Sequence, residues 1–537
     1  MVPHLTRRLA LGTGLAGSLP RFAIAQADQR PVVTVAVQRI SNSNVLEPLR
    51  EQSNVGTRTS ALFCESLIDV DWLGDLSLRP VLAEAWRRVD ERTLELTLRE
   101  GVRFHDGRPM TAEDVVRSFG PERMWGAGGE TRNLFGYTPG RAGKAPLPEV
   151  VAVARRAFPG FEKFEVVNAR TVRWVNATPD VTLEGRLARN TGIVVSGAAF
   201  DAAPTWLDWA RKPVGTGPYR IAEFRPDQLL VLEAFDDYWG GRPPVRRLRF
   251  VEVPEVSSRI NMLLSGEADF ACDIPPDQID TVQRSPRHEV VGGTVANHRL
   301  TVFDKNQASL RDPLVRRAMT HAIDRQSIVD ALWNGQAKVP RGLQFEFYGD
   351  MYLPDWEVPK YDPAEARRLL RMSRYRGEPI PYRLLNNYYT AQVPTAQVLV
   401  EGWRSVGINV AIEMRENFPQ VLAAGNRGVY DWSNSATFND PVSSLPNNHG
   451  PQGQQWQVGA WRNEEFGGLS AAMDTSTDRA ERRRIFRRML EIAEREDPAY
   501  TVLHQAVNLT AKRRDIGWRP GQSFAMDFRA GNWGRRG

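Results

Sequence analysis

Hydrophobic and polar positions change period several times along this chain, and the changes divide it. In "PVVTVAVQ" (31–38) apolar and β-branched residues follow one another over a short span, as in a strand buried on both faces. "RTLELTLREGVRF" (92–104) alternates instead, with Leu94, Leu96 and Leu98 set against Thr93, Glu95 and Thr97. That period of two predicts a strand with one buried face. "HDGRP" then supplies a turn, because Asp106-Gly107 tolerates positive φ and Pro109 ends the pairing. Thr111 stands as an N-cap with Asp114 three residues on, ahead of a helix whose apolar face is Val115, Val116 and Phe119.

Between these, "VGTRTSALFCESLIDVD" (55–71) reads as a helix running up to a short strand. Residues 120–160 are rich in Gly and Pro and predict a long loop or excursion. Short strands return in "TVRWVNA", "LLVLEAF" and "RRLRFVEV", and "EVSSRINMLLSGEADF" predicts an amphipathic helix ended by Gly266. Beyond residue 300 helices alternate with strands. "DPLVRRAMTHAIDRQSIVDALWNG", "DPAEARRLLRMS", "AQVLVEGWRSVG" and "DRAERRRIFRRMLEIAERED" carry the helical period, and "YRLLNN" and "INVAIEM" read as strands. Such alternation indicates an α/β lobe with a helix-covered sheet. The strand-like "YTVLHQAVNLTAKRRDIGW" (500–518) could cross back to the first lobe.

A chain of 537 residues exceeds one ordinary core, so two or three lobes are expected. The N-terminal "MVPHLTRRLALGTGLAGSLPRFAIAQA" has a basic start, a modest apolar run and an A-x-A step at Ala25-Gln26-Ala27, the features of an export signal over 1–27. Arg7-Arg8 after Thr6 points to the twin-arginine route, although Ala10 stands where that motif carries an aromatic. Removing the segment takes away three arginines and no acid, so the net charge falls from +6 to +3. A near-balanced body argues against nucleic acid as partner. Cys64 and Cys272 could form one bridge, but Cys64 inside "SALFCESLI" fits a small buried hydrophobe better.

No catalytic constellation is legible. The seven histidines include no pair three or four apart on a helix, and neither cysteine neighbours another metal ligand. There is no G-x-S-x-G elbow or Walker loop, and "GTGPYR" has Arg220 where a dinucleotide fingerprint needs its third Gly. His105-Asp106 fits a turn whose side chains bond local backbone better than a catalytic dyad. The arginines of 482–488 interleave with glutamates, which predicts a solvated, salt-bridged face.

Several separated segments together resemble the family 5 extracytoplasmic solute-binding proteins of ABC importers, a group with dipeptide, oligopeptide, nickel and opine binders. The resemblance is carried, in order, by "PVLAEAWRRVDERTLELTLREGVRFHDGRPMTAEDVVRSF", "PVGTGPYRIAEF", "EAFDDYWGGRPPVRRLRF", "INMLLSGEADF" and "LRDPLVRRAMTHAIDRQSIVDALWNGQA". It implies an α/β, two-lobe periplasmic binding protein type II fold with an extra subdomain inserted in lobe one. On that pattern lobe one spans 28–295, with the insertion about 61–180, lobe two spans 296–504, and 505–537 return to lobe one. Crossing segments near 292–300 and 500–510 would form the hinge. The implied partners are a small-molecule ligand and an inner-membrane ABC permease. A periplasmic monomer without cofactor or catalysis is the expectation.

Dipeptide binders of this group hold the ligand carboxylate with a lobe-two Arg and its ammonium group with an Asp shortly before an Asp-Pro step. Here "LLNNYYTAQVP" has no Arg, and Ser435 to Phe438 precede Asp440-Pro441. Without both anchors, zwitterionic short peptides should be disfavoured. Asn387, Tyr388, Tyr389, Trp432, Asn434 and Asn439 are the expected ligand contacts, suited to stacking and hydrogen bonding with a peptide-like, opine or glycoside-like solute. Two alternatives stay open: a secreted hydrolase or oxidoreductase, and a nickel-chelate binder using His449.

Overall fold

The computed structural model describes Met1 and residues 28–126, 144–386 and 388–534. The apolar run at 32–37 sits inside a ten-stranded sheet, where Val32–Val37 pairs in parallel with Arg247–Glu252 on one side and Phe270–Cys272 on the other. Val33, Val35, Ala36 and Val37 are buried, as a strand covered on both faces requires. The sheet continues through two long antiparallel strands, Tyr500–Arg513 and His288–Phe303, to Val429–Ser435, Ile380–Leu385 and Val410–Arg415. At the other end lie Leu229–Ala234 and Tyr219–Arg225.

The two long strands are shared by both halves of the sheet. Phe270–Cys272 pairs with Thr510 to Lys512, whereas Val429–Ser435 pairs with Asn297 to Phe303. Between those zones the register shifts, from Thr294 opposite Val507 to His298 opposite Gln505. A bulge of this kind breaks the ladder and lets a strand bend. Gly292, at φ +137°, lets the strands approach: a Cβ there would lie 2.0 Å from the Asn508 carbonyl oxygen.

The alternating segment forms the strand Thr93–Leu98, in a separate four-stranded sheet with Ala83–Arg88, Thr171–Asn176 and Phe161–Asn168. Leu94, Leu96 and Leu98 are buried, and Trp174 packs among Phe119, Phe158, Phe161 and Phe164. Gly107 adopts φ +86°, and Thr111 and Asp114 close a reciprocal capping box on the helix Ala112–Ser118.

The His-Asp pair serves the same scaffold. The backbone N–H of His105 donates to the Gly215 carbonyl, and its Nε2 lies 2.9 Å from the Gly217 carbonyl oxygen. Asp106 accepts the Ser196 hydroxyl at 2.7 Å, and Ser196 caps the helix Gly197–Ala202. Burial lowers the imidazole pKa to about 4. The "GTGPY" and "DYWGG" segments meet at Glu65, which accepts Thr216 Oγ1 at 3.0 Å, Tyr238 Oη at 2.6 Å and Trp239 Nε1 at 2.8 Å. These motif residues therefore fasten the first lobe.

Two sequence expectations need correction. Residues 312–335 are two helices, Pro313–His321 and Arg325–Trp333, because Asp324 leaves the helical region and caps the second by accepting the Ser327 N–H. The Gly/Pro-rich stretch contains the helix Pro148–Ala157, started by proline at its first position; its residues 127–143 lie outside the described ones. Cys64 and Cys272 are free and buried, as the reading of Cys64 as a small buried hydrophobe expects. On the arginine-rich helix Arg479–Leu490 the expected salt-bridged face holds for Arg487, paired with Asp355, and Arg488, paired with Glu465 and Glu496, but Arg482 is buried against Asp440 rather than solvated.

Candidate ligand cleft

Beside the register shift of the crossing strands, segments from both halves of the chain line a cavity. Its position follows the rule for open α/β sheets, in which ligands bind beyond the carboxyl ends of strands. Gln38 follows Val32–Val37, Asp273 follows Phe270–Cys272, and Tyr388 to Thr390 follow Ile380–Leu385. The first turns of the helix Asn54–Phe63 add Asn54 and Arg58, and the long strand His288–Phe303 adds Asn297 and Arg299.

Two arginines dominate the electrostatics. Arg58 is buried and forks onto Asp273, its Nη2 donating at 2.7 and 2.8 Å to the two carboxylate oxygens. Asp273 holds φ +58°, turning the chain back at the strand end. The other guanidinium nitrogen, Nη1, is buried without an acceptor among the described residues. The guanidinium carbon of Arg299 sits over Tyr389, 3.2 Å from the ring centroid, which is a cation–π contact. It donates through Nη1 to the Trp432 carbonyl at 2.5 Å and through Nη2 to Asp431 at 3.3 Å. Asp431 also accepts the Tyr382 hydroxyl and Gln392 Nε2; burial raises its pKa, and Arg299 opposes that rise.

The tyrosines are held rather than loose. Tyr388 stands edge-on to Tyr389 and Phe418 at 4.6 and 4.8 Å, and its hydroxyl accepts Asn42 Nδ2 at 3.2 Å. Burial moves its phenol well above the ordinary value. Asn297 donates to Ser435 Oγ at 2.7 Å, while its Oδ1 is buried without a donor among the described residues. Two residues that line the cavity, Arg58 and Asn297, thus each hold a buried polar atom without a partner among the described residues, and Tyr389 lines the same cavity.

Of the residues expected from sequence, Tyr388 and Tyr389 line this cavity. Trp432 instead packs edge-on to Phe418 and Tyr430. Asn434 is buried and accepts Asn448 Nδ2, and Asn439 is exposed outside the cavity. Asn387 lies outside the described residues. His449 is buried against Tyr500 and Trp461, away from the cleft, and burial lowers its pKa to about 3. No group of three or more His, Cys, Asp or Glu among the described residues could hold a metal ion.

Sequence reasoning missed Arg58, Asp273, Asn297 and Arg299. Arg58 falls one helical turn after Asn54, and both face one way; that spacing was the available signal. The charged residues that line the cavity, Arg58, Asp273 and Arg299, come from a first-lobe helix, a strand end and a crossing strand, and not from the two segments in which dipeptide binders carry their anchors. Asp440, at the Asp-Pro step, is occupied structurally by a bidentate pair with buried Arg482 at 2.7 Å.

A mixed α/β body of two lobes, joined by crossing strands and enclosing a cleft at the bend, defines a binding protein of the type II periplasmic class. Solved structures agree: the dipeptide-binding protein of Pseudoalteromonas sp. SM9913 in complex with Met-Leu has TM-score 0.81 at 20% identity, over 94% of this chain and all of that one. The Helicobacter pylori DppA complex with the peptide STSA has TM-score 0.79 at 19% identity, over 91% and 95%. The family model for "Bacterial extracellular solute-binding proteins, family 5 Middle" matches residues 77–456, and the chain belongs to that family of ABC-importer binding proteins. Among curated relatives, the glutathione-binding protein GsiB of Salmonella typhi is 25% identical over 98% of this chain and 99% of its own length.

Proposed function

We propose that this protein captures a short peptide-like solute in the cleft at the bend of the crossing strands and delivers it to an inner-membrane ABC permease, with no catalysis of its own. The observation that carries the reading is the pairing of buried, unmet groups: Arg58 Nη1 as a charged donor and Asn297 Oδ1 as an acceptor. A carboxylate meets the first and an amide or ammonium N–H the second, and unmet buried groups are costly until a ligand meets them. Tyr389, stiffened under Arg299, and Tyr388 supply apolar walls for the ligand's middle.

In this reading lobe one spans 28–295 with its inserted sheet at about 61–180, lobe two 296–504, and 505–537 return to lobe one. The relatives that bind glutathione or peptides are consistent with the ligand class. Residues 1–27 direct export to the periplasm by the twin-arginine route, and the mature protein works as a monomer. Native mass spectrometry of the purified protein, followed by calorimetry with di- and tripeptides, tests the reading. The expected result is one peptide-like molecule per chain, bound without turnover; catalytic conversion of the bound molecule, or selective binding of neutral sugars, would overturn it.

A further inference from the structure

The cleft does not end at the first cavity. A second chamber shares Asn54 and Phe524 with it, and a third follows at Arg156, Arg186, Val442 and Asn447. The second chamber's wall carries two arginines, Arg156 and Arg186, and no carboxylate. Arg186 is neutralised, with Asp180 at 3.0 Å and Asp474 at 2.5 Å. Those two acids are the ones that line the third chamber.

Arg156 differs. It has no ion pair or hydrogen-bond partner among the described residues. Burial lowers its pKa to about 10, and the two carboxylates that share its third chamber, Asp180 and Asp474, are both engaged by Arg186. A cation at the C-terminal end of the helix Pro148–Ala157 is favoured by the helix dipole, and this accounts fully for exposed Arg155. It does not account for Arg156 lining two chambers between the lobes. A half-buried guanidinium without a counter-charge is unfavourable until an anion arrives.

We propose that Arg156 anchors a second anionic subsite, so that the ligand is an elongated solute with a carboxylate at the end distant from Arg58. The inference rests on the solute-binding reading above and narrows it to acidic ligands. A peptide-like molecule with one carboxylate at Arg58 and another beyond Asn54 fits both chambers. The fork of Arg156 suits a planar carboxylate, approached by two N–H donors at once.

Calorimetry with paired tripeptides tests this: Ala-Ala-Glu against Ala-Ala-Gln, and Glu-Ala-Ala against Gln-Ala-Ala. At least one acidic member should bind about tenfold or more tightly than its amide twin, the range for a hydrogen-bonded charge. Arg156→Gln should bring the twins to within about twofold of each other, while Arg155→Gln keeps the preference. Retained binding of the amide twin by Arg156→Gln shows that the variant is folded. Twins that bind alike in the wild type, or a preference that survives Arg156→Gln, overturn the inference and leave the solute-binding reading standing. Tripeptides that do not bind at all overturn the peptide-like reading and this inference with it.

Discussion

Gly107 sits at φ +86° with open space where a Cβ would go, so substitution there strains the backbone without a clash. Gly107→Val should therefore destabilise the protein by about 2 kcal/mol, the left-handed penalty for a β-branched residue, read as a lowered urea midpoint. His105→Ala removes a contact to the Gly217 carbonyl far from the cleft, so ligand affinity should stay within about twofold while the midpoint falls modestly. Arg58→Met should act differently. It leaves Asp273 without its bidentate partner and removes the cleft's unmet cation, so both stability and binding should fall, by about 3 kcal/mol in stability. A variant that bound ligand normally would contradict the role given to Arg58.

Among the elements, those with strong local signals match their sequence expectations. The strand Thr93–Leu98 and the capped helix Ala112–Ser118 follow from period and cap alone, because their determinants are neighbours in sequence. The helix break at Ala322–Asp324 was not legible, since Asp324 reads equally as a surface position or an N-cap until the chain turns there. The crossing strands set a sharper requirement. Gly292→Ala would place a Cβ against the Asn508 carbonyl, so it should prevent close pairing of the two long strands and yield little soluble protein. Normal expression and thermal stability of that variant would refute the close approach.

For the whole molecule, buried histidines contribute to the response to acid, His298, His449 and His504 among them. Burial lowers His504 to about 4 and His298 and His449 to about 3, against 6.5 when exposed. The folded state keeps them neutral while the unfolded chain takes up protons. Their contribution is thus complete above pH 6.5 and is lost progressively as the pH falls toward 4 and 3. The loss should be about 2.5 kcal/mol per histidine by pH 4.5, and His449→Leu should flatten the fall in Tm between pH 7 and 5. The sequence by itself determined the periodic elements, the turn at Gly107 and the ordered motifs of the family, because each depends on residues close along the chain. It also placed Tyr388 and Tyr389 where a strand ends beside the cleft. Only the tertiary structure decided the charges of the site. Arg58 meets Asp273 across 215 residues and Arg299 meets Asp431 across 132, and no local pattern encodes which distant segment supplies a counter-charge. For the same reason the sequence does not show that Asp440 pairs with Arg482, or that Arg156, in a Gly/Pro-rich stretch, lines a chamber beside the cleft.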